Sequence, residues 1–165
     1  MANSQTSLTA PVYAGRYLCF SLGKEKFAIP LLQVKEVLAD VETTKVPQAP
    51  ADFKGIMNLR GQVISVFDLR LKLKLGKAEK TPETTIIILD LNPLFLGVVV
   101  DSVDSVVEYE ESDVSPRPDT DSSFKLNYVT GIARTENSLT FLLDLKAVLN
   151  ADDFKAMKSQ GQKAS

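Results

Sequence analysis

Apolar and polar residues alternate along most of this chain, in short runs separated by Gly, Pro and Asn turns. Alternation with a period of two places every second side chain on one face, which is typical of half-buried β-strands. Only the end of the chain has helical spacing, through Leu145, Val148 and Leu149, and this predicts a helix over about 145–158. The predicted strands cover residues 16–22, 26–30, 55–59, 62–69, 84–91, 94–100, 103–109, 128–134 and 138–145.

The pattern also repeats within the chain. Gly55-Ile56 precedes "FDLR" (67–70) by the same gap with which Gly131-Ile132 precedes "LDLK" (143–146), so the two segments align without insertion. Upstream, residues 20–38 align with residues 89–107 in the same way. Two copies of a unit of about 60 residues are the simplest explanation.

Short antiparallel strands in two copies predict a mainly β fold of two five-stranded, SH3-like barrels packed together, with a short C-terminal helix. We expect a flexible tail over 1–14 and a single domain over 15–150. Within the domain we place one barrel at about 15–80 and the other at about 81–145. The C-terminal helix and tail would occupy 146–165.

The two copies differ at one hairpin tip. "NLRGQ" (58–62) in the first copy corresponds to "RTENS" (134–138) in the second, whereas the glycines and aspartates of the frame recur. Gly55, Gly131, Asp68 and Asp144 therefore predict turn or capping roles that serve the fold, and Gly61 predicts a tight turn. On its chemistry alone, Arg60 is better explained as a solvated turn arginine; its absence from the second tip favours specialisation.

The composition excludes most kinds of catalytic site. The chain has no His, which excludes Ser-His-Asp and Cys-His arrangements, and it has no phosphate-binding Gly-rich loop. Its acids lack the spacing of a calcium loop. The single Cys19 lies in an apolar run and is expected to be a buried free thiol. We predict no catalytic residue, no metal site, no cofactor and no enzyme activity.

Net charge is −2 but unevenly distributed. Residues 1–80 hold 12 basic against 7 acidic residues, and residues 101–121 hold eight acids with one base. The acidic segment fits an interaction surface and a solvated loop equally well. Small barrels also bind single-stranded nucleic acid, but this chain has no Trp and lacks a strongly basic balance, so that class is the weaker alternative.

The stretch "FKGIMNLRGQVISVFDLR" (53–70) closely resembles the signature of the CheW-like family, the coupling proteins of bacterial chemotaxis. The resemblance extends over about residues 15–150. One departure is Ser65, where members commonly carry Pro. The resemblance implies a non-enzymatic adaptor that joins the histidine kinase CheA, through its regulatory domain, to the cytoplasmic tips of methyl-accepting chemoreceptors. An adaptor of another array-type pathway, such as surface motility, is an alternative within the same class.

The resemblance also implies where the receptor binds. Position by position, the receptor tip would lie in a groove lined by Leu31, Val34, Glu36, Val37, Asn58 and Arg60. Ordinary core packing is the competing explanation for Leu31, Val34 and Val37. The resemblance assigns no kinase contacts to individual residues. It implies array assembly with these partners rather than a stable homo-oligomer.

No signal peptide and no apolar run long enough to span a bilayer occur in the sequence. We therefore expect a cytoplasmic protein without membrane insertion, recruited to receptor arrays at the inner face of the membrane.

Overall fold

The computed structural model describes residues 13–39, 42–77, 79–116, 128–135, 137–149 and 153. This part of the chain consists mainly of β-strands, with 3-10 turns at Leu31–Gln33 and Glu111–Asp113. The strands are β1 (Gly15–Leu22), β2 (Glu25–Pro30), β3 (Val34–Ala39), β4 (Phe53–Leu59), β5 (Gln62–Asp68), β6 (Thr85–Asp90), β7 (Phe95–Val100), β8 (Ser102–Tyr109), β9 (Val114–Pro116), β10 (Val129–Thr135) and β11 (Ser138–Leu143). The short helices are α1 (Leu69–Lys72) and α2 (Leu145–Val148).

The strands form two sheets. The five-stranded sheet has the order β3-β6-β7-β5-β4, and the six-stranded sheet has the order β8-β1-β2-β11-β10-β9. Each contains one parallel pair, β5 with β7 in the first and β2 with β11 in the second. The predicted mainly β fold is confirmed, with a short helix at α2 near the C-terminal end. The other helix, α1, was not predicted, because only the end of the chain has helical spacing. The second sheet has one strand more than predicted, because β9 pairs with β10.

The internal duplication is visible in the strand positions and in their register. In the alignment of the two copies, β10 begins and ends where β4 does, and α2 coincides with α1 in the same way. In the parallel pairs, Phe27 lies opposite Phe141, and the equivalent Leu96 lies opposite Ser65. The register shift between Phe53 and Gly55 recurs at the equivalent positions in β10. The two copies therefore share their irregularities as well as their strands.

The copies are intertwined, so the expected division at residue 80 is wrong. The first two strands of each copy lie in the sheet formed by the remaining strands of the other copy. The five-stranded sheet is thus built from β3 to β7, whereas β1 and β2 join β8 to β11. Sequence similarity between the copies identified the repeat unit, but it carries no information about which copy each strand pairs with.

Three apolar clusters hold this arrangement together. A small interior lies within the five-stranded sheet, around Ile64 and Ile88, and another within the six-stranded sheet, around Cys19 and Leu142. The largest cluster draws on both sheets, and its members include Phe20, Phe67 and Leu89. Each sheet with its own interior is called a barrel below. The main core of the molecule is therefore the interface between the barrels.

The structure describes only part of the predicted C-terminal helix and of the predicted N-terminal tail. The predicted C-terminal helix is described at α2 and at Asp153, which is also helical. Leu149 is extended, with φ of −79° and ψ of 145°, so the helix that was predicted over 145–158 is not continuous. The remaining residues of that prediction lie outside the described part of the chain, as do residues 1–12 of the predicted N-terminal tail. Cys19 is a buried free thiol, as predicted.

Candidate functional site

The divergent hairpin tip is a two-residue turn between β4 and β5. Leu59 pairs with Gln62, and the two residues between them both have positive φ, 52° at Arg60 and 87° at Gly61. This is the backbone that suits the right-handed twist of a tight hairpin, and it is costly for an arginine. The Asn58 side chain accepts a hydrogen bond of 2.9 Å from the Gly61 N–H. Asn58 therefore stabilises the turn, and its role in binding stays a prediction.

Arg60 forms a two-pronged ion pair with Glu36. Its Nη1 and Nη2 atoms each donate a hydrogen bond of 2.7 Å to a different carboxylate oxygen. These hydrogen bonds hold the pKa of Glu36 below its usual value. Glu36 lies on β3, at one edge of the five-stranded sheet, and Arg60 follows β4, at the other edge. The pair thus joins the two edges of the barrel, while 69% of the Arg60 side chain stays exposed.

Of the apolar residues predicted to line the groove, Leu31 lies in the 3-10 turn before β3, and Val34 and Val37 lie on the face of β3 that points to the inter-barrel core. Val34 pairs with Leu89 and Val37 with Ile87, both members of the inter-barrel core. Leu31 and Val34 are half-buried and pack against that core, so part of their role is structural. Val37 is 42% exposed.

Glu36 pairs with Ile88 instead and so faces the barrel interior side of the strand. The apolar residues Val34 and Val37 and the Glu36–Arg60 pair therefore lie on opposite faces of β3, on either side of its edge in the sheet. A partner that contacts both has to lie along that edge.

Sequence reasoning missed one exposed apolar residue beside these. Leu32 sits in the 3-10 turn that precedes β3, and it is 97% exposed. It borders a cavity of about 340 Å³ lined by Ala14–Tyr17 and Pro30–Leu32. The run "PLL" carried the signal, since its last leucine falls outside the alternating pattern of the flanking strands.

Asp68 and Asp144 precede the two short helices, whereas Gly55 and Gly131 lie inside β4 and β10 at the register shifts, and not in turns. The Asp68 carboxylate accepts a hydrogen bond from Leu71 N–H at the start of α1, and Asp144 does the same for Lys146 N–H at α2. Gly55 has a φ of 148°, and a Cβ there would collide with the Thr44 carbonyl oxygen. A Cβ on Gly131 would lie 2.9 Å from both Val114 and Tyr13.

The acidic segment is ordered structure over residues 101–116, not a loop. It contains β8 and β9, and several of its acids have partners within the chain. Asp104 accepts a hydrogen bond from Ser21, and Glu111 accepts from the backbone of Tyr13 and Ala14. Residues 117–121 lie outside the described part of the chain. Within residues 101–116, structural pairing accounts for much of the acidic character.

Comparison with known proteins identifies the family. The family model described as "CheW-like domain" matches residues 16–153. The chain belongs to the CheW-like family. Proteins of this family are scaffolds and adaptors and not enzymes, and the same holds for this chain.

Individual relatives match over nearly their whole length. The chain is 33% identical to "Chemotaxis protein CheW" of Bacillus subtilis over 151 residues, which cover 88% of this chain and 94% of the relative. It is 29% identical to the protein of the same name from Rhizobium meliloti, over 94% of this chain and 99% of the relative.

The structure of "scaffolding protein TtCheW" from Thermoanaerobacter tengcongensis superposes with a TM-score of 0.78 at 30% identity. The superposition covers 86% of this chain and 96% of that chain.

No helix among the described residues is long and apolar enough to cross a membrane. No three His, Cys, Asp or Glu side chains among them come together as a metal site.

Proposed function

We propose that this CheW-like protein is an adaptor that couples chemoreceptors to the histidine kinase CheA and acts by binding alone. The observation that carries the proposal is the Arg60–Glu36 pair, which holds an exposed arginine at a tip that the second copy does not share. Family membership supports a scaffold in chemotaxis. The receptor tip and the kinase are the partners that such a scaffold joins, at receptor arrays on the inner face of the membrane.

The receptor contact would combine an apolar strip with a directed polar anchor. Leu31, Val34 and Val37 offer apolar surface to one face of a receptor helix, as in helix-in-groove recognition. A guanidinium has five N–H donors, of which Glu36 occupies two, so Arg60 keeps three for a partner. Because Glu36 fixes the arginine rotamer, less conformational entropy is lost when the partner binds.

We propose the kinase contact as packing of whole barrels and assign no individual residues to it. The regulatory domain of CheA resembles this fold, and head-to-tail packing of similar barrels generates rings or arrays instead of closed dimers. The uneven charge of the chain, basic in the first half and acidic in the second, would help to orient such packing.

Binding measurements with an Arg60→Ala variant test the receptor site. A soluble fragment of a chemoreceptor hairpin tip and the CheA regulatory domain are titrated separately into the purified protein. We expect receptor affinity to fall by about tenfold or more, as for a central arginine at an interface, and kinase affinity to stay unchanged.

Arg134→Ala is the matched control, because Arg134 is an exposed arginine near the equivalent tip of the second copy. It should leave both affinities unchanged. If Arg60→Ala unfolds the protein, the Arg60–Glu36 pair is structural and the assignment is wrong. Salt-sensitive retention on single-stranded DNA without kinase binding would instead support the nucleic-acid alternative.

A second candidate is an adaptor of a related array pathway, such as surface motility. The observation in its favour is a match to "Protein FrzA" of Myxococcus xanthus, 30% identical over 102 residues and 62% of this chain. Titration against the kinases of both kinds of pathway separates the two, because the cognate kinase should bind more tightly.

A further inference from the structure

The chain crosses between the two barrels at two equivalent places. It passes from β2 to β3 through the turn Leu31–Gln33, and from β7 to β8 at Asp101. When residues 20–38 are aligned with residues 89–107, Leu32 and Asp101 occupy equivalent positions. The two crossings are therefore a natural comparison, because differences between them reflect specialisation of one copy.

At the second crossing, Asp101 ties three segments together. Its Oδ2 atom accepts hydrogen bonds of 2.6 Å from the Gly23 N–H, in the β1–β2 turn, and from Arg70 Nη1, on α1. The Gly23 turn belongs to the six-stranded barrel, whereas α1 continues directly from the five-stranded barrel. Arg70 and Asp101 are only 21% and 29% exposed. Through Asp101, α1 is therefore joined to the Gly23 turn of the six-stranded barrel.

A second, lysine-centred cluster on the same helix also joins parts of both barrels. Lys72 Nζ lies 2.6 Å from Asp153, which follows the six-stranded barrel, and 3.2 Å from Asp52, which precedes β4. The Lys72 side chain is 4% exposed and Asp153 is fully buried. The ammonium also lies 5.4 Å from the centre of the Phe67 ring. A charge so buried is tolerated because it is paired.

The first crossing lacks the acceptor of the second. Leu32 stands where the second crossing has Asp101, and a leucine side chain cannot accept a hydrogen bond. Leu32 is instead 97% exposed. The residues of the proposed receptor site that lie at this first crossing are Leu31, Val34, Glu36 and Val37.

The helix of the second copy keeps only one of the two positive charges of α1. Lys146 on α2 stands where α1 has Arg70, and Val148 stands where α1 has Lys72. Tyr128 replaces Asp52 before the equivalent strand. The ion pairs at the second crossing are therefore not part of the frame that the two copies share.

We propose that Arg70 and Lys72 are positioning residues for receptor binding. Together with Asp101, Asp52 and Asp153 they form a clasp, named the α1 clasp here, that fixes the barrels relative to each other at the second crossing. The Arg60–Glu36 pair near the first crossing joins two edges of one barrel, so the clasp, and not that pair, would hold the groove between the barrels at one width. This inference rests on the proposed function for its effect on the receptor, but the clasp itself is a property of this chain.

The expected loss of receptor affinity follows from the fraction of molecules that keep the competent barrel arrangement. When only a fraction of the molecules have the binding-competent arrangement, the apparent association constant equals the intrinsic constant multiplied by that fraction. A clasp variant in which about one molecule in ten keeps the competent barrel arrangement would bind a receptor tip about tenfold more weakly. Neither Arg70 nor Asp101 needs to contact the receptor for this loss to occur.

The test measures the distance between the barrels in the full chain. Spin labels are placed on exposed residues of each barrel, through Gln62→Cys and Ser105→Cys in a Cys19→Ala background. Double electron–electron resonance then compares the unchanged clasp with Arg70→Ala and with Asp101→Asn, well below the unfolding temperature. Asp101→Asn keeps an oxygen acceptor for Gly23 and is the milder variant. We expect a broader distance distribution in both, and about tenfold weaker binding of a soluble receptor hairpin tip.

Lys146→Ala is the matched control, since Lys146 is the exposed equivalent of Arg70, and it should change neither measurement. Arg70→Lys keeps the positive charge and should retain most of the narrow distance distribution and of the receptor affinity. An unchanged distance distribution in the folded Asp101→Asn variant overturns the clasp, even if its unfolding temperature falls. If the protein with an intact clasp does not bind the receptor tip, the proposed function is wrong, and the distance measurement still decides the clasp.

Discussion

At the scale of single residues, the unusual backbone of Arg60 is the best indication of specialisation. A residue with a Cβ and φ of 52° is strained by comparison with glycine, and such strain often marks functional positions. The sequence indicated that Arg60 differed between the copies. It gave no indication that Glu36, 24 positions earlier, would bind both of its terminal nitrogens. That pairing depends on how the two edges of the barrel approach each other.

Ser65 provides a prediction about stability. This serine is fully buried in β5, and its hydroxyl has no hydrogen-bond partner among the described residues. Leaving a buried hydroxyl unsatisfied costs about 1–3 kcal/mol, so Ser65→Ala should raise the free energy of unfolding by about 1 kcal/mol in urea denaturation. Ser21→Ala is the control, because Ser21 Oγ donates to Asp104 and its loss should not stabilise. A destabilised Ser65→Ala variant would contradict this account.

Tyr109 provides a prediction about alkaline pH. Burial, followed by the neighbouring Cys19, raises the pKa of Tyr109 from 10.0 to about 12. The folded state therefore keeps a proton that the unfolded state loses, and the free energy of unfolding should fall between pH 10 and 12. Urea denaturation across this range measures the effect. In the Tyr109→Phe variant the free energy of unfolding should fall less steeply with pH. An equal slope in both proteins would show that other groups cause the fall.

At the scale of elements, the repeated frame is explained by neighbouring segments that pack closely against a glycine in each copy. In the first copy, Gly55 lies against Thr44, which forms an isolated bridge with Ile56. In the second copy, Gly131 lies against β9 at the equivalent place. The sequence predicted that both glycines serve the fold. It did not predict β9, because three residues are too few to show a period of two.

Gly55→Ala tests this packing. The new Cβ would collide with a backbone oxygen, and the φ of 148° is unfavourable for alanine. We expect a loss of roughly 2–4 kcal/mol in the free energy of unfolding, combining strain with overpacking. Gly76→Ala is the control, because Gly76 also has positive φ but a Cβ there meets open space. Equal losses at both positions would show that backbone strain alone matters.

At the scale of the whole molecule, the exchange of strands between copies makes the two halves of the chain interdependent. Each barrel takes the first two strands of one copy and the remaining strands of the other. The inter-barrel core contains Phe20 and Phe67 from the first half and Leu89 and Leu143 from the second. Neither half can bury its apolar surface without the other.

Two fragments, residues 1–80 and 81–165, test this dependence. Each alone should lack the far-ultraviolet circular dichroism of a β protein, and mixing them should restore it. The intact chain is the control for the restored spectrum. A half that folds alone would show that its strands pair within one copy, contrary to the observed sheets.

Much of this protein is determined by local sequence pattern. Most strand positions follow from alternation, with β3 and β9 as the exceptions. The two copies follow from repeated residues such as Gly55 and Asp68, and the specialised tip follows from the difference at Arg60. The pairing of strands between copies, the Arg60–Glu36 bridge and the α1 clasp were decided only by tertiary structure. The physical reason is the same in each case. Pattern reports which face of a strand is buried, but a residue's partner depends on long-range packing, which brings together residues such as Lys72 and Asp153 that are distant in the sequence.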